Sequence, residues 1–218
     1  MSVHLHRDIE RLKKKVLSLG AMVEEAISAA IAALLSRDEK AAKRVIASDR
    51  EIDQMEVEVE EDCLKILALY QPVASDLRFV IAVLKMNNDL ERMGDLAANI
   101  AKRAVEIMRQ PGVELPAELP TMARNAQAMV KSSLDALVNM DATLARQVCA
   151  GDDELDGFRK RMQRRVLDEI RAHPDDAEAL MGLSNIFRHL ERLGDMATNI
   201  AEDVIYLVEG EITRHREN

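Results

Sequence analysis

The sequence predicts an all-α protein made of two pseudo-symmetric antiparallel three-helix bundles, six helices in all. Three observations predict it. The first is composition: 218 residues include only 5 Pro and 8 Gly, while the strong helix formers Ala, Leu, Glu, Arg, Met and Lys dominate. The second is spacing. Apolar residues at Leu5, Ile9, Leu12, Val16, Leu19, Val23, Ala26 and Ala30 advance alternately by four and three, with a further step of four to Leu34, which is a heptad seam and not a strand pattern. The third is repetition. Glu91-Arg-Met-Gly94-Asp95-Leu-Ala-Ala-Asn99-Ile-Ala101 returns without a gap as Glu191-Arg-Leu-Gly194-Asp195-Met-Ala-Thr-Asn199-Ile-Ala201.

The elements follow in order. The first helix is expected to run from Leu5 to near Leu35, with Ser36-Arg37-Asp38 as the turn and cap into the second. The second runs from about Glu39 to Tyr70, and its seam carries acids at Asp49 and Glu56 where apolar residues are expected. Gln71-Pro72 closes it, because a residue before Pro disfavours the helical conformation. The third runs from about Val73 to Arg109. Pro111, Pro116 and Pro120 then break the helical period, so residues 111–120 read as a linker between a first unit, 1–110, and a second, 121–218. The fourth helix spans about Thr121–Met140 and turns at Asn139-Met140-Asp141. The fifth spans about Ala142–Ala172 with Gly151 as a soft point, and the sixth runs from His173-Pro174-Asp175 to about Gly210. Residues 211–218 read as a frayed polar end. Short loops make successive helices antiparallel neighbours.

Charge and composition exclude several classes of function. A net charge of −9 and a pI near 5.2 argue against a nucleic-acid partner and suit cations. Two cysteines, Cys63 and Cys149, make no disulfide framework, and a reducing compartment is the expectation. The start of the chain shows no basic segment followed by an apolar one, as a signal peptide needs. No stretch approaches ~18 consecutive apolar residues, so no membrane span is expected. The expected location is the cytoplasm.

The chemistry lies in the acids. On a helix, Glu91, Asp95 and Asn99 form one polar row with ~6 Å of rise between neighbours, and Glu191, Asp195 and Asn199 repeat it. The second and fifth helices echo this with Asp49/Asp53 and Asp152/Asp156. A hairpin folded about Pro72 sets Asp49 level with Asp95 and Asp53 level with Glu91. One folded about His173-Pro174 sets Asp152 level with Asp195 and Asp156 level with Glu191. Two carboxylates ~6 Å apart at an effective dielectric near 20 repel by about 3 kcal/mol, against a whole-protein stability of about 5–15 kcal/mol. A bound cation, raised carboxylate pKa values or basic neighbours can relieve this. Arg92 and Arg192 sit ~100° round the helix from the Glu they follow, so they suit flanking contacts. A multivalent cation is the strongest remedy, and an all-oxygen ligand set suits Fe, Mn, Mg or Ca. The candidate metal ligands are therefore Asp49, Asp53, Glu91 and Asp95 in one half and Asp152, Asp156, Glu191 and Asp195 in the other. Asn99 and Asn199 are candidate outer groups. The carboxylates outnumber the needs of one ion, so bridging and a multinuclear cluster are expected. The alternative for any single pair is a solvated helix face. Four pairs at matched height, in two repeats, weigh against it.

Other features carry less. None of the five His lies three residues after a motif Glu, where Gly94 and Gly194 stand, so the Glu-x-x-His of redox di-iron bundles is missing. The glycines are expected to permit close helix approach. His189 points away from the motif, the run Arg159–Arg165 reads as a solvated face, and Met86, Met93, Met129, Met181 and Met196 read as core filling. No P-loop, dinucleotide fingerprint or nucleophile–base pair is present, so no enzyme is expected.

The doubled Leu-Glu-Arg-(Met/Leu)-Gly-Asp block, the Pro72-Val-Ala-Ser-Asp76-Leu-Arg78 lead-in to the third helix and the six-helix repeat resemble the PhoU family over essentially the whole chain. The resemblance implies a PhoU-like fold of two similar three-helix bundles. It implies multinuclear iron or zinc clusters at the acid-xxx-Asp motifs, which match here at Asp49/Asp53, Glu91/Asp95, Asp152/Asp156 and Glu191/Asp195. It further implies a negative regulator of phosphate uptake and of the phosphate-starvation response. Such a regulator acts between a phosphate ABC transporter, through its ATPase, and a membrane sensor histidine kinase. It is not inserted in the membrane and is stand-alone or a homodimer. The second repeat departs where Pro174-Asp-Asp-Ala-Glu-Ala replaces the Asp-Leu-Arg signature. A carboxylate-bridged di-metal hydrolase or oxidase and a bare helical scaffold are the alternative readings.

Overall fold

The computed structural model of the protein describes residues 3–110 and 113–210. The expected fraying of 211–218, together with Pro111 and Gly112 of the expected linker, lies outside the described residues. Helix α1 (Val3–Ser36) is followed by α2 (Glu39–Tyr70) and α3 (Ala74–Met108). Helices α4 (Leu119–Asn139), α5 (Ala142–Ala150), α6 (Asp152–Ala172) and α7 (Ala177–Glu209) complete the order, with a 3₁₀ turn at Pro174–Asp176 before α7. Taking α5 and α6 as one helix bent at Gly151, these are the six helices and two antiparallel three-helix bundles that the periodicity predicts.

The helix ends have local causes. The Asp38 carboxylate accepts from the Ala41 backbone N–H at 2.9 Å and starts α2, and Asp141 accepts from Thr143 and Leu144 at the head of α5. Each satisfies backbone donors that a first helical turn leaves unpaired. Gln71 (φ 44°) ends α2 in the left-handed region, its N–H donating to the Leu67 carbonyl. The break at Gly151 is a turn without positive φ (φ −80°, ψ −12°). A helix over 142–172 is thereby bent instead of continuous, because Gly costs helical stability and offers no side chain to hold the run together. Pro120 lies in the first turn of α4, where its missing N–H is not needed, so α4 begins two residues before the expected start at Thr121 and takes in the last two residues of the expected linker. The linker is anchored: Arg37 Nη2 donates to the Val113 carbonyl at 2.6 Å, and Val113 is buried.

In the first bundle α1, α2 and α3 pack on one another, and in the second α7 packs on α4, α5 and α6. Leu12, Leu19, Val23 and Ala30 of the α1 seam are fully buried. Helix α1 holds an 18-residue window of mean hydropathy 1.6, enough by length and composition to cross a bilayer, although Glu24 and Glu25 interrupt its apolar run. Its apolar side is instead the centre of the first bundle. The bundles join where α3 meets α7 and α1 meets α4. Buried Asp89, His189 and Asp203 belong to α3 and α7. Lys85 Nζ stands 3.8 Å from Asp203 Oδ1, and Asn199 Nδ2 stands 3.5 Å from Asp89 Oδ1. Of the methionines read as core, Met86, Met93, Met129 and Met196 are buried, whereas Met181 is 52% exposed. It lies one turn into α7 on the face that leaves the bundle.

Candidate metal centre

A glycine under an aliphatic side chain aligns the acids in each half. A Cβ on Gly94 would stand 2.9 Å from Ile52 Cγ2, and one on Gly194 would stand 2.5 Å from Leu155 Cδ2. Each motif glycine is therefore the point where α3 approaches α2, or α7 approaches α6, so closely that a Cβ there would force the facing side chain to move. Ile52 is flanked by Asp49 and Asp53, Leu155 by Asp152 and Asp156, and Gly94 and Gly194 by the Glu and Asp of their own motifs. The close contact thus brings one acid pair opposite the other.

The electrostatics reflect that arrangement. Burial pushes the Asp49 carboxyl above its ordinary range, and the charges of Asp95 and Asp53 push it further, while Lys102 pulls it back. Glu91 is raised by burial, then by Asp95, Asp53, Glu56 and Asp49. In the second half Asp152 is raised by burial, Asp195, Asp156 and Asp153. Glu191 is raised by burial and Asp195, and a hydrogen-bonding contact with Asp156 raises it further, against the lowering influence of Arg159. Asp195 is raised by burial and by Asp156, with Arg192 and Arg159 opposing. Asp49, Glu91, Asp152, Asp156 and Glu191 are half-buried, and Asp53, Asp95 and Asp195 are exposed. Each half therefore holds four carboxylates that feel one another's charge.

Two residues join this picture that the sequence reading left outside it. Glu56, half-buried on α2, accepts from Asn87 Nδ2 at 2.9 Å, and its pKa is raised by burial, Glu60 and Asp53. It is a fifth acid of the first half, and its place in an apolar slot of the α2 seam was the available signal. Arg159 reaches into the second half, its Nε 3.0 Å from Glu191 Oε1, although it begins the run read as a solvated face. Lys160 of the same run also reaches a motif acid, its Nζ 3.3 Å from Asp156 Oδ2, whereas Arg161 lies 4.5 Å over the Phe158 ring and Arg165 pairs with Glu118 at 2.8 Å. Asn99 takes Lys102 Nζ at 3.5 Å, which links it to the base near Asp49. Asn199 instead turns to Asp89 across the contact between bundles. His189 is buried, its pKa lowered to about 4 by burial and by Arg188, Arg192 and Arg103.

Half-buried carboxylates without thiolate or imidazole form a donor set for hard, oxygen-seeking ions. Among the described residues, no three acidic, His or Cys side chains already stand together in a grip for one ion.

The PhoU domain model matches residues 16–104 and again residues 119–204. The chain is 37% identical over 212 residues to a phosphate-specific transport system accessory protein PhoU homolog of Aquifex aeolicus, covering 97% of this chain and 96% of that protein. It is 34% identical over 219 residues to phosphate-specific transport system accessory protein PhoU of Escherichia coli, covering 99% of this chain and 89% of that protein. The crystal structure of PhoU from Pseudomonas aeruginosa superposes with a TM-score of 0.91 at 36% identity, over 94% of this chain and 99% of that one. These relatives are accessory proteins and not enzymes. The chain belongs to the PhoU family.

Proposed function

We propose that this protein is a metal-binding adaptor that regulates phosphate transport, restraining uptake and the phosphate-starvation response. The names of its relatives support the phosphate-transport part. The observation that carries the metal part is the pair of carboxylate clusters, each gathered beneath a glycine contact and each raising the pKa of its own members. A cation held by Asp49, Asp53, Glu91 and Asp95, and another held by Asp152, Asp156, Glu191 and Asp195, would draw each set together and neutralise it. The all-oxygen set suits iron, Mn, Mg or Ca by donor type, and family resemblance points to iron or zinc. Once bound, such an ion supplies positive charge that ties α2 to α3 and α6 to α7. Units 1–110 and 121–218, joined through 111–120, form one cytoplasmic protein, stand-alone or homodimeric. It works between the transporter ATPase and a membrane sensor histidine kinase.

Elemental analysis of protein purified without chelators, paired with phosphate-responsive gene expression in a deletion strain, tests both parts. The expected result is bound metal together with expression that no longer shuts down at high phosphate. Metal-free protein overturns the cation sites. Expression unchanged by deletion at both high and low phosphate overturns the regulatory role.

A further inference from the structure

We infer that the two carboxylate clusters are unequal: the first half takes a cation earlier and more tightly, because Glu56 stands where the second half places Arg159. This inference rests on the metal reading above and concerns how the two sites share it.

The correspondence comes from the structure's own alignment of the repeats. Gly94 meets Ile52 as Gly194 meets Leu155, so Asp49, Ile52 and Asp53 of α2 correspond to Asp152, Leu155 and Asp156. Carried one turn further along the same helices, Glu56 corresponds to Arg159 and Val57 to Lys160. In the first half Glu56 is held by two hydrogen bonds from Asn87 Nδ2, one to its carboxylate at 2.9 Å and one to its carbonyl at 3.0 Å. The second half has Phe187 in place of Asn87, a buried side chain with no donor.

The charge balance differs accordingly. Asp49, Asp53, Glu56, Glu91 and Asp95 have no Lys or Arg within 4 Å among the described residues. In the second half Arg159 Nε lies 3.0 Å from Glu191 Oε1, and Lys160 Nζ lies 3.3 Å from Asp156 Oδ2. Both Arg159 and Glu191 are largely withdrawn from water, with side-chain exposures of 29% and 16%. A guanidinium keeps its charge at any physiological pH. It therefore acts as a resident cation, and a metal ion entering the second half must displace it from Glu191 and tolerate it nearby. An ion entering the first half meets five acids with no Lys or Arg in ion-pair contact among the described residues, the Lys102 charge acting on Asp49 only from further away, whereas in the second half two of the four motif acids are already paired.

Titration of the chelator-treated full-length protein with Mn²⁺, free Mn²⁺ being read by electron paramagnetic resonance, tests this. Wild type is expected to show a tight and a weak class of sites. Arg159→Met should tighten the weak class by about tenfold or more, since a unit charge near a divalent ion is removed, and leave the tight class alone. Glu56→Gln, nearly isosteric, should loosen the tight class and leave the weak one alone. Circular dichroism establishes that each variant keeps its helices, and Glu56→Gln decides by itself if Arg159→Met does not fold. A single class of equal sites in wild type, or a class that does not move in its variant, overturns the inequality and leaves the metal reading standing. Failure of wild type and both variants to bind Mn²⁺ overturns the inequality and also removes Mn²⁺ binding from the proposed function.

Discussion

Asp95 and Asp195 each lie one helical turn beyond their motif Glu and across from Asp49 and Asp152, so they press on the acids of both helices in their half. Removing their charges relieves that pressure without removing volume. Asp95→Asn combined with Asp195→Asn should therefore stabilise the metal-free protein by about 1 kcal/mol, or roughly 2–4 °C in Tm for a chain of this size. It should also lower the metal content. Differential scanning calorimetry of the chelated protein checks the first, and elemental analysis checks the second. Acids that merely faced water would show neither change. At this scale the sequence made the eight motif acids legible through their spacing. It left Glu56 as an anomaly in a seam and Arg159 as part of a basic run, because which way a long side chain turns is settled by the neighbours it meets. Asn87 and Glu191 are those neighbours, and both lie on the opposing helix.

Helix pairs are the next scale, and there the motif glycines decide how closely the acids can approach. The close approach at Gly94 is against Ile52 Cγ2, on the stiff branched carbon of a buried side chain that has few rotamers to retreat into. Gly94→Ala gains roughly 0.5–1 kcal/mol of helix propensity but forces α2 and α3 apart, an overpacking cost of typically 1–3 kcal/mol. The expected result is a net loss of about 1 kcal/mol with weaker metal binding in the first half. Urea denaturation and metal titration measure the two, and a stabilised variant with unchanged binding would contradict the close contact. At Gly194 the opposing atom is the end of a Leu155 side chain, which can rotate, so the cost of Gly194→Ala should be smaller. The bend at Gly151 was legible only as a soft point. A lone Gly permits a break without requiring one.

At the scale of the whole molecule, two sets of groups with shifted pKa values tilt stability with pH in opposite directions. Asp49, Glu56, Glu91, Asp152, Glu191 and Asp195 hold their protons more tightly folded than unfolded. As pH rises from their ordinary values of 3.8 and 4.5 through the raised ones, the unfolded chain releases protons first and stability falls. His189 does the reverse. With its pKa lowered from 6.5 to about 4, the unfolded chain binds the extra proton between those values, so stability rises with pH across that window, by roughly 3 kcal/mol at most. In metal-free His189→Gln the rise between about pH 4 and 6.5 should be lost, so denaturation midpoints should no longer climb with pH across that window. A His189→Gln profile parallel to wild type would refute the assignment. The buried setting of His189 comes from the meeting of α3 and α7, and nothing local to residues 185–193 announces it.

The sequence by itself determined the helices, their order, the repeat and the rows of acids, because helical periodicity and capping are local and a tandem motif is visible wherever it lies. It also placed the acid pairs at matching heights, since a short loop leaves an antiparallel hairpin little freedom of register. Only the tertiary structure decided what surrounds each row. Helix α1, apolar enough for a bilayer, became the core of a bundle because α2, α3 and α4 cover it. The two halves, alike in their motifs, came to differ because Glu56 meets Asn87 in one and Arg159 meets Glu191 in the other. Electrostatic energy depends on separation and burial, and those belong to the packed molecule and not to the spacing along the chain.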